Sequence, residues 1–309
     1  MTQELDNQCK VCHESFSSEK GLHIHLKKHK MDLATYYTTF YPRINLLSGE
    51  PLPFKNKEDY FARDFSTRSQ LIKWCMNQSK EEASEYAIKK LKQRIQDKNL
   101  KFAPNHLELK IAQLPDIDVY KKCFGSYSAA CSEAGVKPLH GQSISEDFFK
   151  DDEEFEDINI FIDTREQKPL TFNNSEELKL DFGDYTVGGD DYNYTYIDRK
   201  AESDFKGTLS GGFSRFKREL QRVKDFDSYL FIVIESDLNK LYKNNMFGAH
   251  KSNLKFVYHN MRVLSHEFAG HCQFVFTGSR ANSQSIIPKI LTLGQDLWGV
   301  DLQYHLDKK

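Results

Sequence analysis

The chain has 309 residues, 39% of them hydrophobic and 28% charged, with 23 Phe and 15 Tyr. That is enough apolar and aromatic material for a packed core, which excludes wholesale disorder, and at about 100 to 200 residues per domain the length reads as two or three domains. No run approaches the roughly 18 uncharged apolar residues of a membrane span, and Met1 to Lys10 lacks the apolar stretch of a signal peptide, so the expectation is a soluble, intracellular, cytoplasmic protein that is not secreted and has no membrane partner.

In chain order, the first signal is a run of ligands. Cys9 and Cys12 are two residues apart, twelve residues separate Cys12 from His25, and three separate His25 from His29. Two thiolates and two imidazoles at this spacing form the tetrahedral set that zinc prefers in a structural site, and a head of residues 1–30 with almost no core needs a metal to fold. Phe16 and Leu22 supply the small apolar core. The pattern resembles a Cys2His2 zinc finger, and the resemblance implies a helix from about Glu19 to His29 able to enter a DNA major groove. Lys20, His23, Lys27 and Lys28 are its polar groups; DNA contact is the favoured reading, with protein contact or a purely structural finger left open. The other four cysteines are scattered, which fits a reducing compartment better than a disulfide framework.

Residues 31–145 read as mainly helical. Lys80 to Lys98 sets Ala83, Ala87, Ile88, Leu91 and Ile95 on one face with Lys89, Lys90, Lys92 and Arg94 between them, which describes either a solvated surface helix or a DNA-facing one. Farther on, Ser126 is placed to cap a short helix of small residues ending at Gly135, after a helix with Tyr120 and Phe124 facing inward. The string Phe124, Gly125, Ser126, Tyr127, followed by Ala130 and Gly135, resembles the short helical repeat that accompanies homing endonucleases, which implies DNA binding; a plain helical packing unit is the other reading.

Residues 146–157 form an acidic linker. Eight Asp and Glu against Lys150 give it a net −7, and taking that from the chain's −2 leaves +5 for the rest, a mildly basic remainder compatible with phosphate contacts. Past the linker, residues 158–309 alternate strands and helices. Ile158 to Ile162, Leu178 to Phe182, Tyr194 to Asp198, Tyr229 to Ile234 and Cys272 to Thr277 read as strands; Phe213 to Lys224, Asn253 to Phe268 and Ser283 to Leu293 read as helices. This predicts an α/β domain with a mixed sheet.

The densest chemistry lies in this domain. Asp184 follows a predicted strand and a glycine, Asp198 ends the next strand, and Lys200 lies two residues on, sharing its face. Phosphodiester hydrolysis needs a divalent cation, two carboxylates offer the hard oxygens that Mg²⁺ takes, and a lysine beside them can orient water or offset developing charge. Around this pattern stand I-F-I-D-T-R-E at 160–166, F-G-D-Y at 182–185 and I-D-R-K-A-E-S-D at 197–204. Together they resemble the nuclease domain of the XPF and Hef family, of the restriction-endonuclease-like PD-(D/E)xK superfamily, from Ile158 to about Ser279.

The resemblance implies that Asp184 and Asp198 hold Mg or Mn, that Lys200 is the catalytic lysine, and that Asp163 and Glu166 are further acids of the site. It implies that Arg165, Arg199 and Arg215 hold phosphates or structure, that Asp204 completes the signature, and that two copies pair through this domain. Asp198 stands where the family has Glu, and nothing resembles the helix-hairpin-helix modules many members carry. DNA targeting would then fall to the finger and the helical region. H-E-x-x-x-H from His266 to His271 is one residue too long for a zinc protease helix, so both read as ordinary helix residues. The expectation is a metal-dependent DNA endonuclease of phage or mobile-element type, working in a host cell cytoplasm; an idle DNA-binding, dimerising scaffold and an RNA nuclease are the alternatives.

Overall fold

The computed structural model describes residues 7–43, 51–62, 67–144, 158–247 and 252–308; the expected acidic linker lies outside them. In chain order the helices are α1 Glu19–His25, α2 Leu33–Phe40, α3 Lys57–Ala62, α4 Arg68–Asn77, α5 Lys80–Lys98, α6 His106–Ile111, α7 Ile117–Phe124, α8 Tyr127–Glu133, α9 Glu202–Thr208, α10 Phe213–Asp225, α11 Leu238–Phe247, α12 Leu254–Glu267, α13 Arg280–Leu293 and α14 Leu302–Leu306. The strands are β1 Phe102–Ala103, β2 Lys137–Pro138, β3 Ile160–Asp163, β4 Ser175–Leu178, β5 Tyr185–Val187, β6 Thr195–Lys200, β7 Tyr229–Ile234 and β8 Cys272–Phe276. No described helix is long and apolar enough to cross a membrane.

The chain forms two compact units, residues 1–90 with 109–125 and residues 91–108 with 126–309, so the expected helical region is shared between them. In the first, side-chain caps start the helices: Ser18 accepts from the Gly21 N–H, Asp32 from Thr35, Thr67 from Gln70 and Asp116 from Val119. Leu22 and Leu26 join Tyr36, Tyr37 and Tyr60 in one core, with the Tyr37 and Phe54 rings stacked 5.6 Å apart. The segment that carries the four Cys and His residues is thus packed against α2.

The second unit holds a six-stranded mixed sheet in the order β4-β3-β5-β6-β7-β8. β3 and β4, β6 and β7, and β7 and β8 run parallel, while β5 is antiparallel to both its neighbours. β7 reads Tyr-Leu-Phe-Ile-Val-Ile and is buried at every position, as a strand covered on both faces must be. Tyr229, Phe231 and Val233 pack with Ile286, Ile287, Ile290 and Leu291 of α13. By alternation Leu230, Ile232 and Ile234 point to the other face, where α9, α10 and α12 lie against β6, β7 and β8.

Two expectations are corrected. The strand expected at Leu178 to Phe182 is β4, Ser175–Leu178, an edge strand exposed at all four positions. Its successor is diverted because the Leu180 N–H donates to Asp163 Oδ2 at 2.9 Å and the Leu180 carbonyl accepts from Arg165 at 2.9 Å, which removes both from any ladder. His271 lies beyond α12, its Nδ1 3.2 Å from the Ser228 carbonyl, and His266 pairs with Glu108 at 3.0 Å. Phe231, fully buried in the interior strand β7, sets the first prediction: Phe231→Ala costs about 3–5 kcal/mol, read as a lower urea midpoint at unchanged slope.

Candidate active site and metal centre

The four N-terminal ligands converge: one donor atom from each of Cys9, Cys12, His25 and His29 lies within 4.8 Å of every other. Cys12 Sγ is 3.1 Å from His25 Nε2, which is 3.0 Å from His29 Nε2. A helix brings His25 down beside the Cys turn, and the 3-10 turn Leu26–His29 tightens the step that delivers His29. Two sulfurs and two imidazole nitrogens within this distance of one another fit zinc. Among the polar groups of this segment, Lys20 and Lys27 are exposed. His23 is turned inward instead, with Nε2 2.7 Å from the Tyr37 hydroxyl and its pKa lowered by burial against the opposing charge of Glu19.

The second centre is built where β5 meets β6. Tyr185 pairs with Ile197, so Asp184, one residue before β5, comes to the level of Asp198. Gly183 has φ +57° and a Cβ there would meet the Ile197 carbonyl oxygen at 2.4 Å, so the chain can turn into Asp184 only with glycine. Asp184 Oδ2 accepts from the Arg199 N–H at 2.7 Å. Burial, then the charge of Asp198, pushes the Asp184 carboxyl up to about 8. Lys200 Nζ donates to Asp198 Oδ1 at 3.0 Å and lies 2.8 Å from Oδ2 without an aligned hydrogen bond, leaving that buried oxygen unsatisfied. Burial opposes the Lys200 charge, yet Asp198 and Asp184 outweigh it and hold its pKa above the ordinary value. Two carboxyls brought to one level, one whose ionisation is opposed by burial and by its neighbour's charge and the other with an oxygen that has no hydrogen bond, fit a divalent cation, with Asp184 and Asp198 as its oxygen ligands.

Four of the remaining expected residues form two clamps. Asp163 takes both carboxylate oxygens to Arg165, at 2.7 Å each, and also accepts from the Arg165 and Leu180 N–H groups. Burial pushes its pKa up, but the Arg165 and Leu180 hydrogen bonds win and hold it low. On the opposite face Arg199, 8% exposed, reaches Glu235 at 2.8 Å and both oxygens of Glu166 at 3.1 Å. Glu166 and Arg199 are therefore paired with each other, while Arg215 and Asp204 are exposed.

Sequence reasoning missed Glu219. It sits one turn past Phe216 on α10, and burial, then the charge of Asp198, raises its pKa, which sets it in electrostatic reach of Asp198 and Lys200. Its one signal is the spacing of three from Phe216, whose ring lies 5.0 Å from Lys200 Nζ.

No family model and no curated protein matches the chain. Among solved structures, XPF from Aeropyrum pernix and the same protein in complex with DNA are each similar at 16% identity and a TM-score of 0.33, over 44% of this chain. The match spans 63% of the length of that protein's chain.

Two outcomes follow from this geometry. The protein is expected to carry one zinc per chain, measured by native mass spectrometry, and its removal by a chelator should raise hydrogen exchange over residues 7–41 while leaving the sheet protected. Asp163→Ala, which strands the Leu180 and Arg165 N–H groups, should cost about 2–3 kcal/mol by denaturant titration.

Proposed function

We propose that this chain is a divalent-metal-dependent DNA endonuclease, brought to DNA by an N-terminal Cys2His2 zinc finger and a helical segment. The observation that carries the reading is the half-buried Asp184 set at the level of the buried Asp198 across the β5–β6 pair, with Lys200 bound to Asp198. An idle site gains nothing from holding two carboxylates together against burial.

In this reading Asp184 and Asp198 hold Mg or Mn, which supplies Lewis acidity toward a scissile phosphate and acidifies a bound water. Lys200, fixed by Asp198 at 3.0 Å and by the ring of Phe216, keeps its proton and orients water or offsets charge on the phosphate. Arg165 and Arg215, both exposed, are within the basic surface offered to the backbone, and Lys20, Lys27 and Lys28 are exposed cations of the finger. Arg199, with Glu166 and Glu235, holds the strand end that carries the site. Pairing of two copies through the nuclease domain belongs to the same reading, as does a phage or mobile-element origin.

The test is cleavage of supercoiled plasmid, blunt duplex, flap, splayed-arm and single-stranded DNA and of RNA, with Mg²⁺ or Mn²⁺. Asp184→Asn and Lys200→Ala should each lower the rate about 10²- to 10⁴-fold with DNA affinity retained. Unchanged cleavage by Asp184→Asn would remove the metal site from this position.

A further inference from the structure

Helix α1 begins at Glu19, is capped by Ser18, and delivers His25 to the Cys and His cluster. A finger helix of this kind, laid in a major groove, meets three successive bases with the residue just before the helix and with its third and sixth residues. Here those are Ser18, Gly21 and Ile24. None has the long polar side chain that reads a base edge by paired hydrogen bonds. Ser18 is short and its oxygen accepts from the Gly21 N–H at 3.2 Å, Gly21 has no side chain, and Ile24 is apolar. The other polar groups near them are engaged elsewhere: His23 Nε2 lies 2.7 Å from the Tyr37 hydroxyl, and Glu19 is paired with Lys57.

Ile24 is the residue that packing does not account for. It is 58% exposed, whereas Leu22 and Leu26, two residues to either side, are buried in the core of this unit. Around Ile24 the surface is basic. Lys20 lies one turn before it, Lys27 and Lys28 one turn after, and all three are exposed. A surface that docks another protein presents a contiguous apolar patch, and Ile24 instead has cations one turn away in both directions. That combination suits a polyanion with a small apolar projection in its groove. Duplex DNA has one: the C5-methyl of thymine stands in the major groove, where apolar side chains contact it.

We propose that Ile24 packs on a thymine methyl in the major groove while Lys20, Lys27 and Lys28 hold flanking phosphates. Recognition by this segment is then a methyl contact plus backbone charge, without hydrogen-bonded base reading, and Gly21, one turn before Ile24, leaves room for the helix to approach the bases. Duplex RNA lacks this methyl, and its major groove is too deep and narrow to be read in this way. The inference rests on the DNA reading above and gives its N-terminal segment a ligand class: duplex DNA carrying 5-methylated pyrimidines.

The experiment uses the full chain with zinc bound and Asp184→Asn, so that substrate survives. Fluorescence anisotropy is read on a mixed-sequence duplex and on the same duplex with every thymine replaced by uracil, which lacks the methyl and keeps the hydrogen-bonding edges. The thymine duplex should bind about three- to fourfold tighter, the size expected for burying one methyl. Adding Ile24→Ala should bring both affinities to the uracil level, and Ile24→Val should keep most of the difference. Lys20→Gln with Lys27→Gln should weaken both duplexes alike and reduce the slope of log affinity against log salt by about 2. Native mass spectrometry should find the same zinc content in each variant, since all three side chains are exposed. Equal affinities in the starting protein overturn the methyl contact, as does a thymine preference that survives Ile24→Ala, because another part of the chain then senses the methyl. Unchanged DNA binding by Ile24→Ala with a dimer turned into a monomer in sedimentation overturns it too, making Ile24 a contact between copies. Because binding is read in a cleavage-dead protein, methyl-dependent binding without any wild-type cleavage would refute the nuclease reading alone, and cleavage with equal affinities the methyl contact alone.

Discussion

The alternation of side chains along β6 governs the centre of this molecule. One residue step separates Asp198 from Arg199, and that step sends them to opposite faces of the sheet. Asp198 and Lys200 meet α10, while Arg199 enters the α13 side and is closed off by Glu166 and Glu235. A slip of one residue in the β5–β6 register would exchange these roles, burying an acid among ion pairs and opening an arginine to the site. The register is held by Tyr185 against Ile197 and by the close approach of Gly183 to the Ile197 carbonyl, both adjacent to Asp184.

A carboxylate pair in a half-buried position is unfavourable in isolation, and the surroundings are arranged to bear it. β7, apolar on both faces, anchors β6 over six paired residues, so the strand end cannot move to relieve the repulsion. Removing the partner of a buried charge generally costs several kcal/mol, which is why the Arg199, Glu166 and Glu235 cluster is better understood as a fixed frame than as three independent surface groups. The Asp163 and Arg165 pair closes the neighbouring turn by the same logic, with backbone N–H groups taking up the remaining oxygen capacity. The acids and arginines around Asp184 and Asp198 thus divide between holding the strand ends and facing outward.

The N-terminal unit solves a different problem. A thirty-residue head has little to bury, and here the Cys and His cluster is backed by tyrosines: the Tyr36 hydroxyl accepts from the Lys10 N–H at 3.0 Å and donates to the Gln8 carbonyl at 3.3 Å. Tyr37 fills the space beside His23 and draws it inward. The aromatic backing that steadies the ligand turn therefore also turns His23 inward, while Lys20, Lys27 and Lys28 stay on the surface.

The sequence by itself determined the local facts. Ligand spacing named Cys9, Cys12, His25 and His29, apolar runs located β7 and β8, the heptad-like spacing gave the bounds of α5, and a Gly-Asp turn with D-x-K marked Asp184, Asp198 and Lys200. These are legible because each depends on neighbours within a few residues of chain. Tertiary structure decided what depends on distant neighbours. It showed that His23 faces Tyr37, that Arg199 is paired rather than free, that β4 stops at Leu178 because Leu180 is taken by Asp163 and Arg165, and that Glu219 of α10 lies within electrostatic reach of Asp198. A line of aromatic rings from Phe226 through Phe182 and Tyr196 to Tyr192 is drawn from three chain segments that pattern reading treats separately. Only the crossing of α10 over β6 makes them one surface, since side-chain proximity across a sheet is set by register and packing and not by sequence spacing.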